Sequence, residues 1–218
     1  SMSASGLAAV WVEENTREEI YAAFKRKEVY ATTGPRIRLQ MFASWMFPDN
    51  SDQAEDISKI GYAHGVPMGG DLLRTPEATT PKFLIRAVKD PLGANLDRVQ
   101  IIKGWLDEKR QQHEKVHNVA WSPGRLLDDN NNLPKVGNTV DLDTARFTNS
   151  IGTPALSVMW QDPDFDPNQR AFYYARVLQI PTARHSLFDT IALQAGDLAN
   201  GPTTIQERAY TSPIWYTP

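Results

Sequence analysis

The stretch QQHEKVHNVAWS, residues 111–122, places His113, Glu114 and His117 in the order His-Glu-x-x-His. On a helix that order holds a zinc ion between the two imidazoles and sets the carboxylate beside its water. The fold depends on whether this stretch is that helix or a strand. Residues 107–115 (DEKRQQHEK) contain no apolar side chain, so a helix here is polar all round and has no face to bury. A strand fits better. VQIIKGW (99–105) goes out, LDEKRQQ (106–112) is a polar connection, and EKVHNVAWS (114–122) returns as the hairpin partner. In a strand His113 and His117 share a face about 13 Å apart, with Glu114 on the other side. Zinc requires its ligands near 2 Å from one point, roughly, and that geometry does not chelate it. The longer zinc-protease pattern also lacks its Gly and His, because positions 120 and 123 hold Ala120 and Pro123. The two histidines read as surface residues of a solvated hairpin.

The same rhythm extends along the chain. RIRLQMFASW (36–45), KFLIRAVKD (82–90), ALSVMWQD (155–162), RAFYYARVLQI (170–180) and IQERAYTSPIWY (205–216) are strand-like, as is the short apolar run at 7–12. Phe83, Ile85 and Ala87 alternate with Lys82, Leu84 and Arg86, and Leu156, Val158 and Trp160 with Ser157 and Met159. Turn clusters such as GVPMGGDL, KDPLGANLD, DDNNNLPKVGN and DPDFDPNQ separate them. This pattern predicts a mainly β protein, an antiparallel sandwich or barrel. The one strong helix signal opens at Thr16, with Glu19 three residues on as a capping box and Asn15 as the alternative cap. Ile20, Ala23 and Phe24 form its apolar face, and Gly34-Pro35 stops it.

Composition narrows the function. The 218 residues are 41% hydrophobic and 22% charged, enough for a sizeable core. A net charge of −3 leaves no electrostatic footprint for nucleic acid. There is no cysteine, which removes disulfides, thiolate metal sites and a cysteine nucleophile. No apolar run has the length of a membrane span, and the compartment, cytoplasmic or periplasmic, is left open. The opening SMSASG reads as a tag or linker, and the abrupt start as a segment excised from a longer protein.

Other chemistry-bearing residues are few. Asp162, Asp164 and Asp166 have the 1-3-5 spacing of a calcium loop, but Pro167 and Tyr173 stand where its Gly and bidentate Glu belong. An inter-strand turn explains them as well. GVPMGGDL lacks the Lys-Ser/Thr of a phosphate loop. His64 and His185 have no partner nearby in sequence, and no serine triad can be assembled. Trp45, Trp105, Trp121, Trp160 and Trp215 lie in or beside the strands, as core packing or as a ligand- or carbohydrate-stacking platform. No catalytic residue is assigned. His113, His117, Asp162, Asp164 and Asp166 are the metal candidates that spacing offers.

GLAAVWVEENTREEIYAAFKRKEVYATTGPRIRL, GVPMGGDL, DPLGANLDRVQIIKGW, VAWS, FDPNQRAFYYARVLQIPTAR and IQERAYTSPIWYTP together resemble the C-terminal part of the domain-of-unknown-function family 3604. That family is related to the polymerase-and-histidinol-phosphatase (PHP) metal-dependent phosphoesterases. The resemblance implies residues 1–6 as tag or linker, 7–33 as a strand and helix left from a PHP-like barrel, and 34–218 as an immunoglobulin-like β-sandwich. It implies divalent metals in a catalytic barrel outside this chain and no cofactor within it. The His-x-His and Asp-x-His motifs of that barrel have no counterpart here. The expected role is a non-catalytic accessory domain whose partner is the barrel, with self-association through the helix face as a second contact. A small-ligand or carbohydrate module and an autonomous zinc hydrolase are the alternatives. At His117 the family phrase carries an aromatic residue, and at His185 a tryptophan-bearing one.

Overall fold

The computed structural model describes residues 6–75, 80–130, 132–194 and 202–218. In chain order its elements are β1 (Leu7–Val10), α1 (Arg17–Arg26), β2 (Val29–Thr32), β3 (Arg38–Ser44), α2 (Ile57–His64), β4 (Val66–Pro67), β5 (Asp71–Leu73), β6 (Lys82–Val88) and β7 (Leu96–Leu106). Then follow β8 (Gln112–Trp121), β9 (Ala155–Gln161), β10 (Ala171–Gln179), β11 (Thr182–Ala183), α3 (His185–Ala192), β12 (Thr204–Ile205), β13 (Arg208–Thr211) and β14 (Ile214–Thr217). Every strand-like segment named above forms a strand, and the fold is mainly β.

The stretch 112–121 is strand β8, paired antiparallel with β7 from Leu106↔Gln112 to Arg98↔Trp121. The polar run before it is the turn. Asp107 organises it, its carboxylate accepting the N–H groups of Lys109 and Gln111 at 2.8 Å each. Arg110 there takes a left-handed φ of 60°. A run without apolar residues suits such a turn, since all its side chains stay in water.

Strand β10 is the middle of an eight-stranded sheet. One flank carries β7 and then β8; the other carries β14 beside its first half and β13 beside its second. β13 leads on to β2 and β1, and β14 to β5. All these pairs are antiparallel except β14–β5, which is parallel. A second sheet, β4-β3-β6-β9, is antiparallel throughout. β11 and β12 form a small separate pair.

The two large sheets share one core. Phe83, Ile85 and Ala87 of β6 meet Tyr173, Ala175 and Val177 of β10, and the Phe83 and Tyr173 rings lie 4.5 Å apart. Each fully buried side chain of this size contributes roughly 1.5–3 kcal/mol. The opposite face of β6 is also covered. Leu84 and Phe42 pack with Phe47 and Ile57 under α2, where Gly61 admits the Phe42 ring: a Cβ there would lie 2.4 Å from Cγ.

Two helices, α2 and α3, were not expected from the sequence, and α1 is shorter than its signal. Thr16 caps α1 as anticipated, accepting the Glu19 N–H. The helix ends at Arg26 because Lys27 turns left-handed (φ 60°), its N–H closing on Ala23 and Phe24 carbonyls. Val29 and Thr32, β-branched, then belong to β2.

Candidate functional site

Three of the five sequence candidates converge. His117 of β8 meets Asp162 and Asp164, which follow the end of β9, and one ligand atom from each lies within 4.8 Å of the others. His113 is not part of this group. Its Nε2 sits 2.9 Å from the Asp107 carboxylate, and its ring stacks on Trp105 at 5.3 Å. That hydrogen bond, with the Gln111 N–H, holds the Asp107 carboxyl below the usual range. Asp166 also stays apart and caps its own turn through the Asn168 N–H. His64 closes α2 and His185 opens α3. The glycines of GVPMGGDL approach the protein's own backbone: a Cβ on Gly69 would lie 2.1 Å from the Lys27 carbonyl oxygen.

The converged cluster already holds a cation. Lys103 is a buried charged side chain of β7, between Ile101 and Trp105. Its Nζ donates to Asp162 Oδ2 at 2.6 Å and to the Asp164 carbonyl at 2.7 Å. Tyr173 donates its hydroxyl to the same Asp162 oxygen at 2.8 Å, and the Asp164 N–H fills Oδ1 at 2.9 Å. The Lys103 and Asp162 side chains are 3% and 0% exposed. Both carboxylate oxygens of Asp162 are thus occupied, and a metal ion here has to displace the ammonium group.

The electrostatics follow from burial. Tyr173 is pushed up by burial and then by the Asp162 charge, so it stays a neutral donor. His117 is pushed down by burial, which outweighs the attraction of Asp162 and Asp164. Its Nε2 is buried and has no hydrogen-bond partner among the described residues, and its ring lies 4.9 Å from Trp160. Asp164, more exposed, is held low chiefly by its hydrogen bond from Lys115. The arrangement binds β7 of one sheet to the end of β9 in the other. Lys103 and Tyr173 were not singled out from the sequence, although a lone Lys on an inward, alternating position was the available signal.

A wider concavity of about 960 Å³ lies between α1, α2 and the outer side of β3 and β6. Three of its charged side chains are held by neighbours within the chain. Buried Glu28 takes the Tyr62 hydroxyl and Arg26 Nε, and Arg86 spans the carbonyls of Asp52, Ala54 and Glu55.

The family model for DUF3604, described as a protein of unknown function, matches residues 1–218. The chain belongs to the DUF3604 family. No curated protein and no solved structure matches it. In this DUF3604 protein no helix among the described residues is long and apolar enough to cross a membrane.

Proposed function

We propose that this DUF3604 chain is a non-catalytic accessory domain, an immunoglobulin-like β-sandwich that packs against a PHP-like metal-dependent hydrolase barrel and completes one wall of its cleft. One observation carries this reading. Helix α1 buries only Ala23 of its ten residues, while Tyr21 is 64% and Phe24 50% exposed. A helix of this length does not persist in water on propensity alone, and clustered exposed aromatics mark an interaction surface. The occupant is the barrel, because residues 7–33 resemble its final unit. The divalent metals belong to that barrel. The closed Lys103–Asp162 pair supports the absence of hydrolysis in this chain.

Co-expression with the barrel portion of a longer family member tests the proposal. The two should co-elute on size exclusion, and the Tyr21→Glu/Phe24→Glu double variant should separate them while keeping its circular dichroism spectrum. Without the barrel, the wild-type chain should self-associate with rising concentration through the same face, and the variant should stay monomeric. Hydrolysis of bis-p-nitrophenyl phosphate by the chain alone with Mn²⁺ or Zn²⁺, or undiminished co-elution of the variant, overturns it.

A further inference from the structure

The outward face of the eight-stranded sheet carries an aromatic floor that neither the core nor the proposed barrel contact uses. Phe172 of β10 stands directly opposite Gly104 of β7. Its ring lies across that glycine, so close that a Cβ on Gly104 would be 2.2 Å from Cζ. Any other residue at 104 would lift the ring off the sheet. Tyr174, two residues on and on the same face, is nearly parallel to Phe172, with an interplanar angle of 12° and 6.4 Å between centroids. Trp215 of β14, opposite Phe172 on the other flank, tilts by 51° at 5.3 Å and is 45% exposed. It makes a wall beside the floor. Phe172 and Trp215, with Gly104 and Trp105, line an open cleft of about 750 Å³, and Tyr174 continues the floor beyond it along β10.

The rim is polar in a particular way. Glu114 and Arg170 line the cleft, and neither makes an ion pair among the described residues. A carboxylate and a guanidinium lining one cleft disfavour both a strongly anionic and a strongly cationic ligand. They suit a neutral one rich in hydroxyl groups, which donates to the first and accepts from the second. Two near-parallel ring faces in succession suit a ligand with successive flat C–H faces. The electron-rich face of an aromatic ring attracts polarised C–H groups, as its quadrupole requires.

We infer that the cleft lined by Gly104, Trp105, Phe172 and Trp215 and rimmed by Glu114 and Arg170, together with the Tyr174 ring beside it, binds a neutral oligosaccharide chain. Successive pyranose rings stack on Phe172 and Tyr174, Trp215 closes one side, and the rim groups take hydroxyls. The site lies on the sheet face, away from α1, so it functions whether or not the barrel is present.

The 218-residue chain should be applied to an array of neutral hexose and pentose oligosaccharides, uronate oligosaccharides and a polyproline peptide. Hits are then titrated by tryptophan fluorescence and, for the affinities of the variants, by isothermal titration calorimetry. Binding to neutral oligosaccharides is expected, with a change in emission that Trp215→Phe abolishes. Trp215→Ala and Glu114→Gln should each weaken binding about tenfold, as for residues central to an interface, with the thermal melt unchanged. Gly104→Val, which displaces the Phe172 ring, should abolish binding; its circular dichroism spectrum reports whether it folds, and the two exposed-residue variants stand independently of it. No neutral oligosaccharide bound at millimolar concentration, binding to uronate or polyproline alone, or affinity unchanged in Trp215→Ala overturns the inference. Loss of barrel co-elution in the Tyr21→Glu/Phe24→Glu variant leaves this result untouched, so the two readings fail separately.

Discussion

Asp162, 1% exposed, has its negative charge balanced inside the protein by Lys103, and each is the other's main counter-charge. Removing one member leaves the other charged and desolvated, which is far more harmful than removing both. Lys103→Met should therefore destabilise the fold by about 3–5 kcal/mol in urea unfolding. Adding Asp162→Asn removes the uncompensated charge, keeps an acceptor for the Asp164 N–H and turns an amide N–H toward the Tyr173 hydroxyl oxygen, and should restore more than half of that loss. Equal effects in the single and double variants would show that the pair is not what holds the sheets here. His117 beside it gives a pH dependence. Burial places its folded pKa below the unfolded value, so as pH falls through the unfolded value the denatured chain takes up the proton first. Stability then drops. His117→Phe removes that drop, fills the same space against Trp160, and should shrink the difference between urea midpoints at pH 7.5 and 5.5. An unchanged difference would assign the acid sensitivity to other groups, such as Asp164, whose lowered pKa also withdraws stability at still lower pH.

At the scale of elements, what could be read in advance depended on whether the signal was local. The β7–β8 hairpin was legible because alternation and a polar turn are both properties of neighbouring residues. The α1 cap was legible because Thr16 and Glu19 are three apart. β2 was hidden, since VYAT follows the charged end of α1 with no Gly or Pro between them, and only the left-handed turn at Lys27 separates the two. α2 and α3 are only eight residues each, too short for intrinsic propensity to decide. α2 exists because Ile57 and Gly61 fit against Phe42, a contact between distant segments. The candidate cluster divides in the same way. Asp162 and Asp164 share an Asx turn readable from spacing, whereas His117 reaches them only because β8 of one sheet overhangs β9 of the other. Lys103 lay between: its inward parity was visible, its partner was not.

For the whole molecule the question is whether residues 7–33 form a unit of their own. Four contacts tie them to the rest. β2 pairs with β13 from Thr32↔Ala209 to Tyr30↔Thr211. Tyr30 is 8% exposed and belongs to the shared core. Trp11 Nε1 donates to the Leu39 carbonyl at 2.8 Å. Glu28, 3% exposed, accepts the Tyr62 hydroxyl from α2. A segment that supplies a sheet strand and core side chains shares the stability of the whole, because its loss opens a strand edge and a cavity together. Unfolding in urea should thus be a single transition, with far-UV circular dichroism and tryptophan fluorescence superimposing. The 34–218 piece alone, lacking β1, α1 and β2, should show no cooperative transition. Two resolved transitions, or a folded 34–218 piece, would instead make 7–33 a separable appendage. With one transition, anything docked on Tyr21 and Phe24 stabilises both sheets at once, and the barrel contact and the domain fold become thermodynamically linked.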